Sequence, residues 1–152
     1  MTAPQNLLES GYQSLIDLIS PAEYLRAKNG MLIFSGTAET PDLSVEILPQ
    51  ENNSFYYAVT VGEEAISFES ADFPSAEECR QAVADFAGQF IGKTIRFTRI
   101  QKRFSYIYES YEQLDETTGE WKIISEELLD RFALKCFLWK NSRTQWERSF
   151  HL

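Results

Sequence analysis

Histidine is nearly absent from the sequence, and this limits the chemistry that the chain can perform. His151 is the only histidine, and it stands next to the last of the 152 residues, where chains are often mobile. Ser-His-Asp and Cys-His catalysis both require a firmly held imidazole as general base. We therefore predict no catalytic residues and expect a binding function rather than enzyme activity.

Motifs for metals and nucleotides are also missing. The sequence has no CxxC, HxxxH or HExxH spacing that would hold zinc, and no GxGxxG or GxxxxGKS/T loop that would cradle phosphates. We predict neither a cofactor nor a metal site. Carboxylates are plentiful, but adjacent pairs such as Glu77 and Glu78 point in different directions, so a carboxylate-only active site would need acids from different strands.

Long apolar runs are absent as well. No stretch approaches the roughly 20 apolar residues of a membrane span. The first residues, MTAPQNLLESGYQ, lack the basic and apolar regions of a signal peptide. The two cysteines, Cys79 and Cys136, lie among apolar neighbours and fit reduced, buried thiols. These features lead us to expect a cytoplasmic protein with no membrane partner.

The composition that is present is that of a globular domain. Hydrophobic residues make up 43% and charged residues 24%, which argues against disorder, and aromatic residues are abundant at 14%. Gly and Pro number only 7 and 5, and no linker composition interrupts the chain. We predict one α+β domain covering residues 1–152.

Three amphipathic helices are predicted. Leu8, Tyr12, Leu15 and Ile19 recur at helical spacing, which predicts a helix over about 6–19. The stretch SPAEYLRAKNG has a capping residue, a proline at the first helical position and an Asn-Gly stop, which predicts a second helix over about 21–28. The stretch FPSAEECRQAVADFAGQFIGK predicts one long helix that is capped by Ser75, ends at Gly92 and lies across a sheet.

The remaining segments have the pattern of strands. MLIFSGT, LSVEIL, FYYAVTV and AISFES are short runs separated by turn formers, which predicts an antiparallel meander. From Thr94 the chain is predicted to form a C-terminal β-hairpin region, with a bulge or short turn between Arg99 and Phe104 and a tight turn at DETTGE. The segment 126–140 fits either helix or strand. We predict a short helical turn that starts at Ser125, then a strand over about 132–139, and a last strand at TQWERSF.

Charge is the least ordinary feature of the chain. The net charge is −9. Residues 1–92 carry 3 basic and 14 acidic residues, whereas residues 93–152 carry 11 basic and 9 acidic residues. Within the second part the signs form blocks. A basic patch contains Arg96, Arg99, Lys102 and Arg103, and an acidic hairpin end contains Glu109, Glu112, Asp115, Glu116 and Glu120.

These blocks allow more than one interpretation. The acidic hairpin end is expected to be exposed and to face either the basic strand beside it or a basic protein partner. The basic patch with its neighbouring aromatic residues resembles a single-stranded nucleic-acid surface, but the overall negative charge makes nucleic acid an unfavourable partner. Trp146, between Gln145 and Glu147, is the tryptophan that we expect to be exposed or covered by a partner.

The predicted function is that of a small acidic protein-binding factor: an inhibitor, an immunity-type protein, an adaptor, or an assembly or regulatory protein. It would act through a charged, aromatic-rich β surface, with Glu109, Glu112, Asp115, Glu116, Glu120 and Trp146 as partner-binding residues. The alternative is a small-ligand-binding module with a pocket between the sheet and the helices. A carboxylate-only enzyme and a single-stranded nucleic-acid binder are less favoured.

Overall fold

The computed structural model describes residues 3–102, 105–128 and 142–152. Within these ranges the chain forms two helices and nine strands. The helices are α1 (Ala3–Ile19) and α2 (Ala76–Gly88), and the strands are β1 (Leu25–Arg26), β2 (Leu32–Gly36), β3 (Pro41–Pro49), β4 (Phe55–Val61), β5 (Glu64–Glu69), β6 (Thr94–Lys102), β7 (Ser105–Leu114), β8 (Trp121–Leu128) and β9 (Ser142–Ser149). Every strand pairing among the described residues is antiparallel, so the chain is an α+β protein with antiparallel sheets.

The chain divides into two compact units. Unit 1 comprises Met1–Ile91 together with Phe150–Leu152, and unit 2 comprises Gly92–Ser149. Each unit contains one sheet: five strands in the order β1-β2-β3-β4-β5 in unit 1, and four strands in the order β8-β7-β6-β9 in unit 2. A single domain over residues 1–152 stays a prediction.

The predicted pair of N-terminal helices is wrong. Helix α1 ends at Ile19, and the segment predicted as a second helix instead contains strand β1, with Arg26 paired to Leu32. Ser20 adopts a left-handed φ of 50°, which stops the helix, and its hydroxyl donates a hydrogen bond to the Asp17 carbonyl oxygen. Cross-strand pairing therefore prevails over the local capping signals of residues 20–30.

The sheet of unit 1 is a meander whose buried face follows the period of two in the sequence. Leu43, Val45 and Ile47 of β3 stand opposite Val61, Val59 and Tyr57 of β4, and all six side chains are buried. Helix α1 contacts β3, and the buried Tyr12 hydroxyl accepts a hydrogen bond of 2.9 Å from the Ile47 amide. Burial raises the pKa of Tyr12, so the phenol remains protonated.

Helix α2 begins where the sequence predicts but ends earlier. The Ser75 hydroxyl accepts a hydrogen bond of 3.1 Å from the Glu78 amide, as expected of an N-cap. The apolar stripe buries Cys79, Val83 and Ala87. The helix ends at Gly88 rather than Gly92, and Gly92 has a left-handed φ of 73°. The predicted layout of a helix pair and one long helix is thus replaced by two helices and two separate sheets.

The described part of unit 2 contains a hairpin and a strand, β9, that pairs with β6 far from it in the sequence. Strands β7 and β8 pair through the hairpin turn, β6 pairs with β7, and β9 pairs with the far side of β6. The register of β6 and β7 shifts at Ile100, within the bulge region predicted from the sequence. Ser125 lies in β8 opposite Tyr111, so the helical turn predicted there is wrong. The strand predicted over 132–139 lies outside the described residues, as do Arg103 and Cys136.

Neither helix in the part of the chain that the structure describes combines the length and apolar character needed to cross a membrane.

Candidate functional site

One face of the unit 2 sheet is a hydrophobic core. Phe97 of β6 stands between Tyr111 of β7 and Trp146 of β9 in the register of the sheet. Its ring centroid lies 5.0 Å from that of Tyr111 and 5.3 Å from that of Trp146, with which it is stacked. Trp146 is only 9% exposed, so the expectation of an exposed ring is wrong. The strand period places Trp146 on the same face as Phe97.

The opposite face carries a charged cluster built around Arg96. The guanidinium donates two hydrogen bonds to the Glu112 carboxylate across the β6–β7 pair, at 3.0 and 2.9 Å. It also lies 4.4 Å from the centroid of the Trp121 ring, within cation–π distance. The hydrogen bonds to Glu112 raise the pKa of Arg96. Arg96 and Glu112 therefore stabilise the pairing of β6 with β7, and most of their hydrogen-bonding capacity is used within the sheet.

Glu109 is engaged in the same way. Arg99 stands opposite Glu109 in the register, and its Nε donates a hydrogen bond of 2.8 Å to the carboxylate. Both side chains are partly shielded, with 18% and 25% of their surface exposed. Of the two interpretations drawn from the sequence, pairing with the neighbouring basic strand thus holds for Glu109 and Glu112. Lys102 ends β6, where its backbone pairs with Ser105.

Asp115 organises the hairpin turn. Its carboxylate accepts hydrogen bonds from the amides of Thr117 and Thr118, at 3.0 and 3.4 Å, and lies 3.2 Å from Nζ of Lys122. Gly119 adopts a φ of 75°, and its amide donates to the Asp115 carbonyl oxygen. The hydrogen bond from Lys122, followed by those from the turn amides, lowers the pKa of Asp115. Asp115 is a turn-forming residue.

Asp115→Asn is expected to flatten the acid end of the stability profile. Because the folded-state pKa of Asp115 is below its unfolded value, the ionised carboxylate stabilises the fold above the unfolded pKa, and this contribution disappears as the pH falls through the folded pKa. Urea unfolding of both proteins should show that the variant loses less stability than wild type below about pH 4. Glu120→Gln is the control, and an unchanged acid profile in Asp115→Asn would contradict this role.

The other acids of the hairpin are not used by the fold in this way. Glu116 and Glu120 are exposed, and neither forms an ion pair within the described ranges. Glu126 and Glu127 are also exposed on β8, and Glu126 accepts a hydrogen bond of 2.9 Å from the Tyr108 hydroxyl. Ile123, between these acids, is 57% exposed.

Glu126 and Glu127 are absent from the predicted site because a helical turn was expected to start at Ser125. Ile123 was expected in the return strand but was not assigned to the binding surface. One signal could have found them. Strand β7 has 10 residues, and a hairpin partner must be of similar length to satisfy its hydrogen bonds. That requirement extends β8 beyond Ser125.

The strand order separates charge across the sheet. Strands β7 and β8 and the turn between them, residues 105–128, contain seven acids and one base, a net charge of 1 − 7 = −6. Strands β6 and β9 contain five bases and one acid, a net charge of 5 − 1 = +4. The negative half ends in β8, which stands at one end of the strand order among the described strands. An incoming cationic surface would thus be attracted to β8 and its turn.

Other chemistry finds little support in the described residues. No group of three His, Cys, Asp or Glu side chains there is arranged to hold a metal ion. Cys79 is fully buried, and burial raises the pKa of its thiol, which disfavours the reactive thiolate.

Comparison with known proteins adds no functional assignment. The chain matches no protein-family model, and searches among curated proteins and among solved structures return no match.

Proposed function

We propose that the protein binds a basic protein partner through an acidic edge formed by Glu116, Glu120, Ile123, Glu126 and Glu127. One observation carries the proposal. Glu109, Glu112 and Asp115 are neutralised by Arg99, Arg96 and Lys122, whereas the side chains of the acidic edge are exposed on the last of the described strands of the sheet and on its turn. An inhibitor, an adaptor and an assembly factor are the protein classes that would use such a surface.

The physical basis is electrostatic attraction combined with an apolar contact. Residues 115–128 contain five acids and one base, so this segment alone has a net charge of 1 − 5 = −4. Clustered exposed charge accelerates encounter with a partner of opposite sign and weakens as salt is added. Ile123 supplies exposed apolar area among the carboxylates, where a partner can exclude water.

Because these side chains are exposed, their replacement can test binding without unfolding the protein. Exposed side chains without ion pairs change stability by about 0.5 kcal/mol or less when they are replaced. Glu116, Glu120, Ile123 and Glu127 can therefore be altered with little effect on the fold, and replacing Glu126 removes only an exposed hydrogen bond from the Tyr108 hydroxyl. Glu109, Glu112 and Asp115 cannot serve this purpose because they participate in cross-strand ion pairs and turn contacts.

Charge reversal at four positions tests the proposal. A partner is first co-purified with the wild-type chain and identified by mass spectrometry. The purified partner is then titrated against two variants. The edge variant carries Glu116→Lys, Glu120→Lys, Glu126→Lys and Glu127→Lys. The control carries Glu23→Lys, Glu39→Lys, Glu51→Lys and Glu69→Lys, which reverse four exposed acids of unit 1. We expect at least about tenfold weaker binding by the edge variant, or ~1.4 kcal/mol, and little change in the control.

Two further measurements decide the interpretation. Added salt should weaken wild-type binding more than binding by the edge variant, since fewer charges remain in that variant. Thermal melting should be similar for all three proteins. Equal weakening in both variants would reject the acidic edge as the binding site, and a loss of folding in the edge variant alone would make it a structural element.

A further inference from the structure

Unit 1 contains very few basic residues, and all of them line clefts. Against 14 acids the unit has three bases, Arg26, Lys28 and Arg80. Arg26 and Lys28 line a cleft of about 390 Å³ between α1 and the turn after β1, and Arg80 lines one of about 340 Å³ between α1 and α2. The first cleft brings two cations together in a strongly acidic unit.

The walls of the first cleft are fixed by close packing. Gly30 adopts a φ of 95°, and a Cβ there would lie 2.7 Å from Cε2 of the buried Tyr12 ring, so the turn lies directly against that ring. The Asn29 side chain holds the turn by donating to Glu46 and accepting from the Met31 amide, both at 3.1 Å. The guanidinium of Arg26 lies 5.1 Å from the Tyr12 ring centroid. The Arg26 cation thus lies over the ring of a side chain that is itself buried.

Arg26 is paired with a carboxylate that can be exchanged. Nη1 and Nη2 of Arg26 donate to the two carboxylate oxygens of Glu9, each at 3.2 Å. The Glu9 side chain is 53% exposed, and ion pairs at such positions are worth only about 0–1 kcal/mol. Lys28 is exposed and forms no ion pair with any described residue, so the residues that line the cleft have a net charge of +1, with the Glu46 carboxylate next to them at Asn29.

We infer that this cleft binds a small organic carboxylate with an apolar body. The ligand carboxylate takes the place of Glu9 at the Arg26 guanidinium, where two parallel N–H donors match its geometry. Lys28 provides a second positive charge, and Leu8 and Ala27 line the space for the apolar body. The cleft volume falls in the lower part of the range for ligand pockets. The inference does not depend on the proposed protein partner, because it concerns unit 1.

Benzoate and its neutral counterpart benzamide are the probes. Amide chemical shifts of the full chain are followed by NMR as each compound is titrated into the millimolar range, the affinity expected of so small a ligand. Benzoate should shift resonances of residues 8–12 and 26–30, and benzamide should shift them at least about tenfold more weakly, since it lacks the charge that pairs with Arg26. Equal effects of the two compounds, or no benzoate effect at these residues, would overturn the inference.

Two variants test the exchange with Glu9. Arg26→Gln should abolish benzoate binding, and Glu9→Gln should tighten it by about threefold, because the competing carboxylate is removed while the side-chain size is kept. Glu23→Gln, an exposed acid outside the cleft, should leave the affinity unchanged. Unchanged or weaker binding by Glu9→Gln would overturn the exchange even if Arg26→Gln also disturbs the fold.

Discussion

Phe97→Ala is expected to lower the free energy of unfolding by about 3–5 kcal/mol. Phe97 is fully buried, and its ring contacts Tyr111 on one side and Trp146 on the other. The guanidinium of Arg99 also lies 5.0 Å from its centroid. Truncation removes these contacts and leaves a cavity in the middle of the sheet, and the total stability of a protein is only about 5–15 kcal/mol.

Urea unfolding followed by tryptophan fluorescence measures this effect, because Trp146 is stacked on Phe97. Ile123→Ala is the matched control: it also truncates a large apolar side chain in the same sheet, but one that is 57% exposed. Its cost should stay below about 1 kcal/mol. Similar losses in the two variants would show that the neighbouring rings of Phe97, Tyr111 and Trp146 are not the core of unit 2.

Gly36→Ala is expected to cost about 2 kcal/mol or more. Gly36 ends β2 with a φ of 91°, a conformation that side chains with a Cβ rarely adopt. An added Cβ would lie 2.6 Å from both the Asp42 amide nitrogen and the Thr40 carbonyl oxygen. Both are backbone atoms, one in the β2–β3 connection and one at the start of β3, so the clash can be relieved only by displacing the turn.

Gly119→Ala separates conformational strain from the clash. Gly119 has a φ of 75°, but nothing lies within 4 Å of the position its Cβ would take. This variant should lose only about 1 kcal/mol, the cost of the left-handed conformation itself. Thermal or urea unfolding of both variants gives the comparison. If Gly36→Ala were no worse than Gly119→Ala, the β2–β3 turn would be free to move.

Local sequence patterns correctly predict the strands of the unit 1 meander and the start of helix α2. Strands β3–β5 follow alternating apolar residues, β2 follows a short apolar run, and the cap at Ser75 follows from its spacing to Glu78. The segment 21–28 has equally good local signals for a helix, yet Leu25 and Arg26 pair with β2 instead. A residue-by-residue pattern does not include the gain from adding a strand to an existing sheet.

The candidate surface depends even more on pairings that are distant in sequence. The register of β6 and β7 decides which acids are neutralised, and the sequence does not specify that register. It places Arg96 opposite Glu112 and Arg99 opposite Glu109. Trp146 is buried because β9 pairs with β6, a strand that is distant from it in the sequence. The acidity of the hairpin is visible in the sequence, but which acids remain available is not.

The connectivity of the units couples their stabilities. The chain leaves unit 1 after Ile91 and returns at Phe150, whose ring lies 6.3 Å from that of Phe90 and whose neighbour His151 accepts a hydrogen bond from Ser35. Folded unit 2 brings its own two ends together, since Thr94 pairs with Ser149. Folded unit 2 therefore acts as a short link, which raises the effective concentration of Phe150 near Phe90 in unit 1. When unit 2 unfolds, its 58 residues become a flexible loop, and closing this loop costs on the order of 3 kcal/mol of conformational free energy. Damage to the core of unit 2 would therefore also loosen the attachment of residues 150–152 in unit 1.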